Sequence, residues 1–187
     1  MLLATMIALS QAIPDPDALV RAVAAFSPSA CSVIHGEQHW QTVAAFGTIL
    51  AHQTAGADPT LALLFGVLHD CLRADDGHDP DHGRRVGALA PLLNGRLFTL
   101  PAPALDTLVT ALSLHVDGLV SDDPTVGVCW DADRLHLWRV GVTPHPDRLS
   151  TDAGRARIAW SRSQQTLWRH WPEVWALAGF DARPSAP

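Results

Sequence analysis

Apolar residues along this chain recur at spacings of three and four and almost nowhere alternate. That period lines one side of a helix, whereas a half-buried strand needs a period of two. Asp15-Pro16 opens the first segment, with Pro at the first helical position and Leu19, Val20, Val23 and Phe26 as its apolar face. Residues 36–53 follow, with Trp40, Val43, Phe46, Gly47 and Leu50 in register and Ala55-Gly56 as the stop. Asp58-Pro59 then caps and starts a strongly apolar helix over residues 61–72, expected at the centre of the fold. Residues 73–81 form a polar loop rich in Asp, Gly and His. Helices follow over residues 82–93, stopped by Asn94-Gly95, and over residues 104–116. Residues 117–128 carry Gly, Ser, Asp and Pro and read as a loop, residues 130–140 as a short helix, and residues 150–171 as a long final helix ending near Pro172. The expected fold class is all-α, a single helical bundle of about seven to eight helices. Its 187 residues make one domain, with no internal repeat and no low-complexity segment.

Composition narrows function mainly by exclusion. All 13 basic residues are Arg, and the absence of Lys and Tyr removes Schiff-base lysine, P-loop lysine and tyrosine acid–base chemistry. A net charge of −6 gives no general attraction to nucleic acid or to an anionic membrane, so neither is an expected partner. A bound cation can nevertheless dominate a local field and draw in an anionic substrate. Cys31, Cys71 and Cys129 are far apart and make no C-x-x-C pair, so neither a zinc ribbon nor a disulfide framework is indicated and a reduced, cytoplasmic compartment is expected. The apolar start, Met1 to Ser10, lacks the basic segment of a secretory signal, and no stretch reaches the ~20 apolar residues of a membrane span.

The chemistry lies in histidines and aspartates. His69 and Asp70 close the apolar helix, where burying a charge is expensive unless it is paired or metal-bound. A plainer explanation is that Asp70 marks where that helix reaches solvent. His39 lies on the second helix beside Val43, Phe46 and Leu50, and taken alone it is an ordinary helix histidine. Asp131 and Asp133, two apart, point about 200° from each other on a helix, so only one can face a given ion. The other would cap the helix or hold an imidazole behind the ligands, the role expected of Asp131. In this reading both lie in the first turn of their helix, where the dipole offers an alternative reason for carboxylates.

His39, His69-Asp70 and Ala132-Asp133-Arg134-Leu135 resemble the H…HD…D signature of the HD-domain superfamily of metal-dependent phosphohydrolases. The likeness covers residues 34–140, with residues 150–178 expected as C-terminal helices packed on that core. It implies an HD-like helical bundle in which His39, His69, Asp70 and Asp133 bind a first metal, with Asp70 bridging to a second. It further implies that His82 and His115, lying between the pair and the last Asp, ligate that second ion. The alternative is that they bind substrate phosphate, or that they are surface histidines. Nitrogen and carboxylate ligands together suit Mn, Fe, Co, Ni or Zn, as one or two ions.

Around this set, Arg73 and Arg134 are the cations best placed to hold a phosphate, unless they pair with Asp75 or Asp131. His78 and His35 are further substrate-side candidates. His35-Gly36-Glu37-Gln38-His39 is not a zincin motif, because Glu does not follow the first His. Trp160, Trp168, Trp171 and Trp175 read as core packing, with a homo-oligomer contact as the second use. The resulting expectation is an enzyme, a metal-dependent phosphohydrolase of a small phosphorylated substrate, a phosphomonoester or phosphodiester and by resemblance a nucleotide. Asp70, His115 and Arg73 would carry the chemistry. An HD-type di-iron oxygenase and a non-catalytic metal-containing sensor or binding module are the alternatives.

Overall fold

A computed structural model of the protein describes residues 9–180. Residues 1–8, most of the apolar start, and residues 181–187 lie outside the described residues. The described chain is all-α, with ten helices and no strand. The helices are α1 (Leu9–Ala12), α2 (Pro16–Phe26), α3 (Glu37–Ala51), α4 (Pro59–Leu68), α5 (His82–Leu93), α6 (Ala102–Leu114), α7 (Pro124–Leu135), α8 (Asp152–Ala156), α9 (Ile158–Ser163) and α10 (Trp171–Ala178). None of them is long and apolar enough to cross a membrane.

The centre is the antiparallel pair α3 and α4. Residues Thr60 to Leu68 of α4 are buried without a break, as expected of a helix that is apolar all round. The two backbones meet at glycines, Gly47 against Ala62 and Gly66 against Ala44. At Gly66 a Cβ would lie 2.4 Å from the backbone N and Cα of Ala44, so only glycine permits this crossing. Helix α7 packs across both α3 and α4, α5 pairs with α6, and α10 lies on α3. One hydrophobic core runs from Ala12 through Trp40, Phe46 and Phe65 to Trp171 and Trp175.

Two expectations about the helices fail for identifiable reasons. The loop expected over residues 117–128 ends early, because α7 begins at Pro124, where Asp123 accepts from the N–H groups of Thr125 and Val126, both at 2.9 Å. The Asp-Pro start is the one used at Asp15-Pro16 and Asp58-Pro59, and the small polar residues around it conceal it. Asp131 and Asp133 therefore lie in the C-terminal half of their helix and not in its first turn. The long helix expected over residues 150–171 is also absent. The Ser161 and Ser163 hydroxyls bond the Ile158 and Trp160 carbonyls, both three residues back, and the chain leaves the helix after Ser163. It resumes only at Trp171, with Pro172 in the first turn of α10. Of the expected tryptophan stripe, Trp171 and Trp175 share a helix and stack at 4.9 Å.

The α3–α4 contact sets a direct test. Gly66→Ala should cost about 1–3 kcal/mol through overpacking, lowering the melting temperature by roughly 2–12 °C in a thermal denaturation followed by circular dichroism. An unchanged melting temperature would contradict the close crossing.

Candidate metal centre

Five separate elements bring the candidate ligands together. His39 is in the first turn of α3, His82 is the first residue of α5, and His115 follows directly after α6. His69 and Asp70 come just after α4, where the chain turns, and the Ser29 hydroxyl holds the Asp70 carbonyl at 2.9 Å. Asp133 is two residues from the end of α7. That end of a helix carries partial negative charge, so a carboxylate there is favoured only if a cation faces it. Phe65, one turn before His69, stacks on the His69 ring and meets the His115 ring edge-on, giving the cluster an apolar floor.

The ligand atoms form two groups that share Asp70. In the first, His39 Nε2 lies 3.0 Å from His69 Nε2, 3.4 Å from Asp70 Oδ2 and 3.3 Å from Asp133 Oδ1. His69 Nε2 is 3.6 Å from the same Asp70 oxygen and 3.9 Å from Asp133 Oδ1. In the second, the other oxygen of Asp70, Oδ1, is 3.0 Å from His82 Nε2 and 3.8 Å from His115 Nε2, and those two nitrogens are 2.9 Å apart. Ligands bound at about 2.0–2.2 Å around one ion are separated by distances of this size.

The hydrogen bonds behind the rings show what the cluster lacks. His69 Nδ1 donates to the Gly66 carbonyl at 3.1 Å, His115 Nδ1 to Leu112 at 2.8 Å and His82 Nδ1 to Asp79 at 2.5 Å. Each of these imidazoles, when neutral, therefore presents a bare lone pair on Nε2. With the imidazoles neutral, lone pairs and two carboxylates converge in a buried space, and positive charge, carried by metal ions or by protons on the rings, completes such an arrangement. This is also the ring orientation found behind metal-bound histidines. The residues present fit a divalent transition metal in each of the two overlapping groups.

Electrostatics keep His69 neutral and both carboxylates ionised, while His115 is drawn toward its protonated form. Burial depresses His69 to about 3, keeping it neutral and able to offer its lone pair. Burial alone would raise Asp70, but His69, His115, His39 and His82 outweigh it and hold the carboxyl well below its usual range. Asp133 is likewise lowered against the effect of burial, chiefly by His39 and His69. Burial lowers His115 while its bond to Asp70 raises it, and the carboxylate prevails.

A cavity of about 370 Å³ opens on this centre, lined by Asp70, His82, His115 and Asp133 and flanked by Arg73 and Arg139. His35, His78 and Arg134 also line it. The His35 Nδ1 donates to Asp76 at 2.8 Å, and Asp76 also accepts from Ser32, so His35 belongs to the cavity wall and does not support a metal ligand. Arg73 is held by the carbonyls of Asp75 and Gly77 rather than by a carboxylate. Arg134 donates to the Arg148 carbonyl and lies over the Trp130 ring, contacts that tie it to the protein as well as to the cavity. Asp131 faces the other way. Its oxygens accept from the Ser150 and Thr151 N–H groups and the Thr151 hydroxyl, fastening the start of α8 instead of an imidazole.

Two residues escape the sequence reading. His136 lies one helical turn past Asp133 and stacks on His39, with the two Nδ1 atoms 2.8 Å apart. Burial depresses His136 to about 2, so it stays neutral and accepts the His39 Nδ1 proton, leaving His39 Nε2 free toward the centre. The turn spacing from Asp133 was the available signal. Arg139, on the turn after α7, carried no signal of spacing at all.

No protein-family model matches the chain, and neither a curated protein nor a solved structure matches it. His136→Phe, which removes the acceptor behind His39, should weaken metal binding at the His39–His69 group about 10–100-fold. His136→Asn, which restores an acceptor, should recover most of that loss in a chelator-competition titration. Wild-type affinity in His136→Phe would contradict the role given to His136.

Proposed function

We propose that the protein is a metal-dependent phosphohydrolase acting on a small phosphate ester, a phosphomonoester or phosphodiester, with nucleotides favoured by the resemblance to HD-domain enzymes. The observation that carries this reading is the buried His and Asp cluster, two overlapping ligand groups, on the floor of a cavity flanked by guanidinium groups. His39, His69, Asp70 and Asp133 would hold one ion, and Asp70, His82 and His115 the other. Divalent ions in such a centre supply Lewis acidity and lower the pKa of water toward neutrality.

The chain's own residues then divide the remaining work. Arg73, fixed by the loop carbonyls of Asp75 and Gly77, presents a charged fork to phosphoryl oxygens as negative charge builds on them. Asp133 keeps part of its carboxylate exposed to the cavity, where it accepts a hydrogen bond from the attacking water and orients it. Asp70 and His115 face each other within the cluster, so their contribution is to hold the centre and not to shuttle protons. Most residues of the walls are His, Asp or Arg, which suits an anion held on bound cations.

Protein loaded with Mn, Co, Ni or Fe should hydrolyse aryl phosphates, bis-aryl phosphates or nucleotides. Asp70→Ala should reduce that turnover by at least roughly 10²–10³-fold. Absence of hydrolysis with every metal would overturn the proposal, and oxygen uptake by the iron-loaded protein in its place would move the site to the di-iron oxygenase class.

A further inference from the structure

Three arginines line the cavity, Arg73, Arg134 and Arg139. Arg134 is buried, bonded to the Arg148 carbonyl and laid over the Trp130 ring, whereas Arg84, Arg85 and Arg155, outside the lining, pair with Asp117, Asp79 and Asp152. Neither Arg73 nor Arg139 makes an ion pair among the described residues. Backbone carbonyls position both instead, with Asp75 and Gly77 bonding Arg73, and Ile34 and His136 bonding Arg139 at 2.9 and 3.1 Å. Carbonyl bonds fix a guanidinium without neutralising it, and the negative charge nearest Arg139, on Asp133 and Asp70, belongs to the centre itself.

The two arginines also come from opposite sides of the centre. Arg73 lies beside His82, its Nη1 3.5 Å from the His82 Nδ1, on the side of the second ligand group. Arg139 bonds the carbonyl of His136, whose ring backs His39 in the first group. Both face the same cavity, where burial disfavours the Arg139 charge most, Asp133 and Asp70 support it, and Arg73 opposes it. With those carboxylates engaged by cations at the centre, two fixed like charges facing one space favour an anion between them. One phosphoryl group on the centre can engage the fork on one side, and the second fork then needs an anionic group of its own.

We infer that Arg73 and Arg139 form a two-sided clamp for adjacent phosphoryl groups, so that the substrate is a compact diphosphate-type compound and not a simple monoester. This rests on the phosphohydrolase reading for the identity of the reaction, but the clamp itself is a property of binding. Guanidinium forks match phosphoryl oxygens in bidentate fashion, which favours a second phosphoryl over an uncharged group in that position.

The test uses two phosphonates that cannot be hydrolysed, methylenediphosphonate and methylphosphonate, titrated calorimetrically into full-length Mn-loaded protein whose metal content is measured before and after. The diphosphonate should bind at least about tenfold more tightly than the monophosphonate, as expected for added charge-assisted hydrogen bonds. In Arg139→Gln and Arg73→Gln, each verified to be folded and to retain its metal, that ratio should fall to within about threefold. Equal affinities in the wild type, or a ratio unchanged in both variants, would overturn the clamp. If no phosphate ester is hydrolysed but the ratio behaves as expected, the clamp stands and the hydrolase reading fails.

Discussion

The structure depends on Asp70. Its two carboxylate oxygens lie in the interior and face separate pairs of imidazole nitrogens, the His39–His69 pair and the His82–His115 pair. Three of those rings have their Nδ1 protons committed to backbone carbonyls and the fourth has its Nδ1 against His136. An interior made of acceptors is costly without positive charge to fill it. The ligands come from five stretches of chain, so filling the centre also ties α3, α4, α5, α6 and α7 together. Metal binding and folding stability are therefore linked in this protein.

The supports of the centre extend well beyond the ligands. The close crossing of α3 and α4 at Gly66 brings the end of α4, and with it His69 and Asp70, next to His39. Phe65 sets the floor under His69 and His115. Asp131 faces away from the centre and secures Ser150 and Thr151, which leaves Asp133 alone to turn inward from α7. The helical rule that two carboxylates two residues apart cannot share a face is met here by giving them opposite duties.

Much of this was legible in the sequence, and the gaps have physical causes. The all-α class followed from the three-and-four periodicity, and His39, His69, Asp70, His82, His115 and Asp133 do converge in space. The start of α7 was hidden because Ser, Asp, Pro, Thr and Gly suit both a loop and a helix N-terminus, although Asp123-Pro124 repeats an earlier capping pattern. The break after α9 arises from serine hydroxyls that bond the preceding turn, which apolar periodicity does not register. His136 and Arg139 act through partners about a hundred residues away in the chain, Arg139 on Ile34 and His136 on His39. Such contacts are set by packing and are not visible in local spacing.

The most direct test of a centre bridged by Asp70 is the metal content of protein purified without chelator. The wild type should approach two transition-metal ions per chain, and His115→Ala, which removes a ligand from one group alone, should fall to about one. Folded wild-type protein that carries no metal and takes up none would contradict the account, as would a His115→Ala variant with the same content as the wild type.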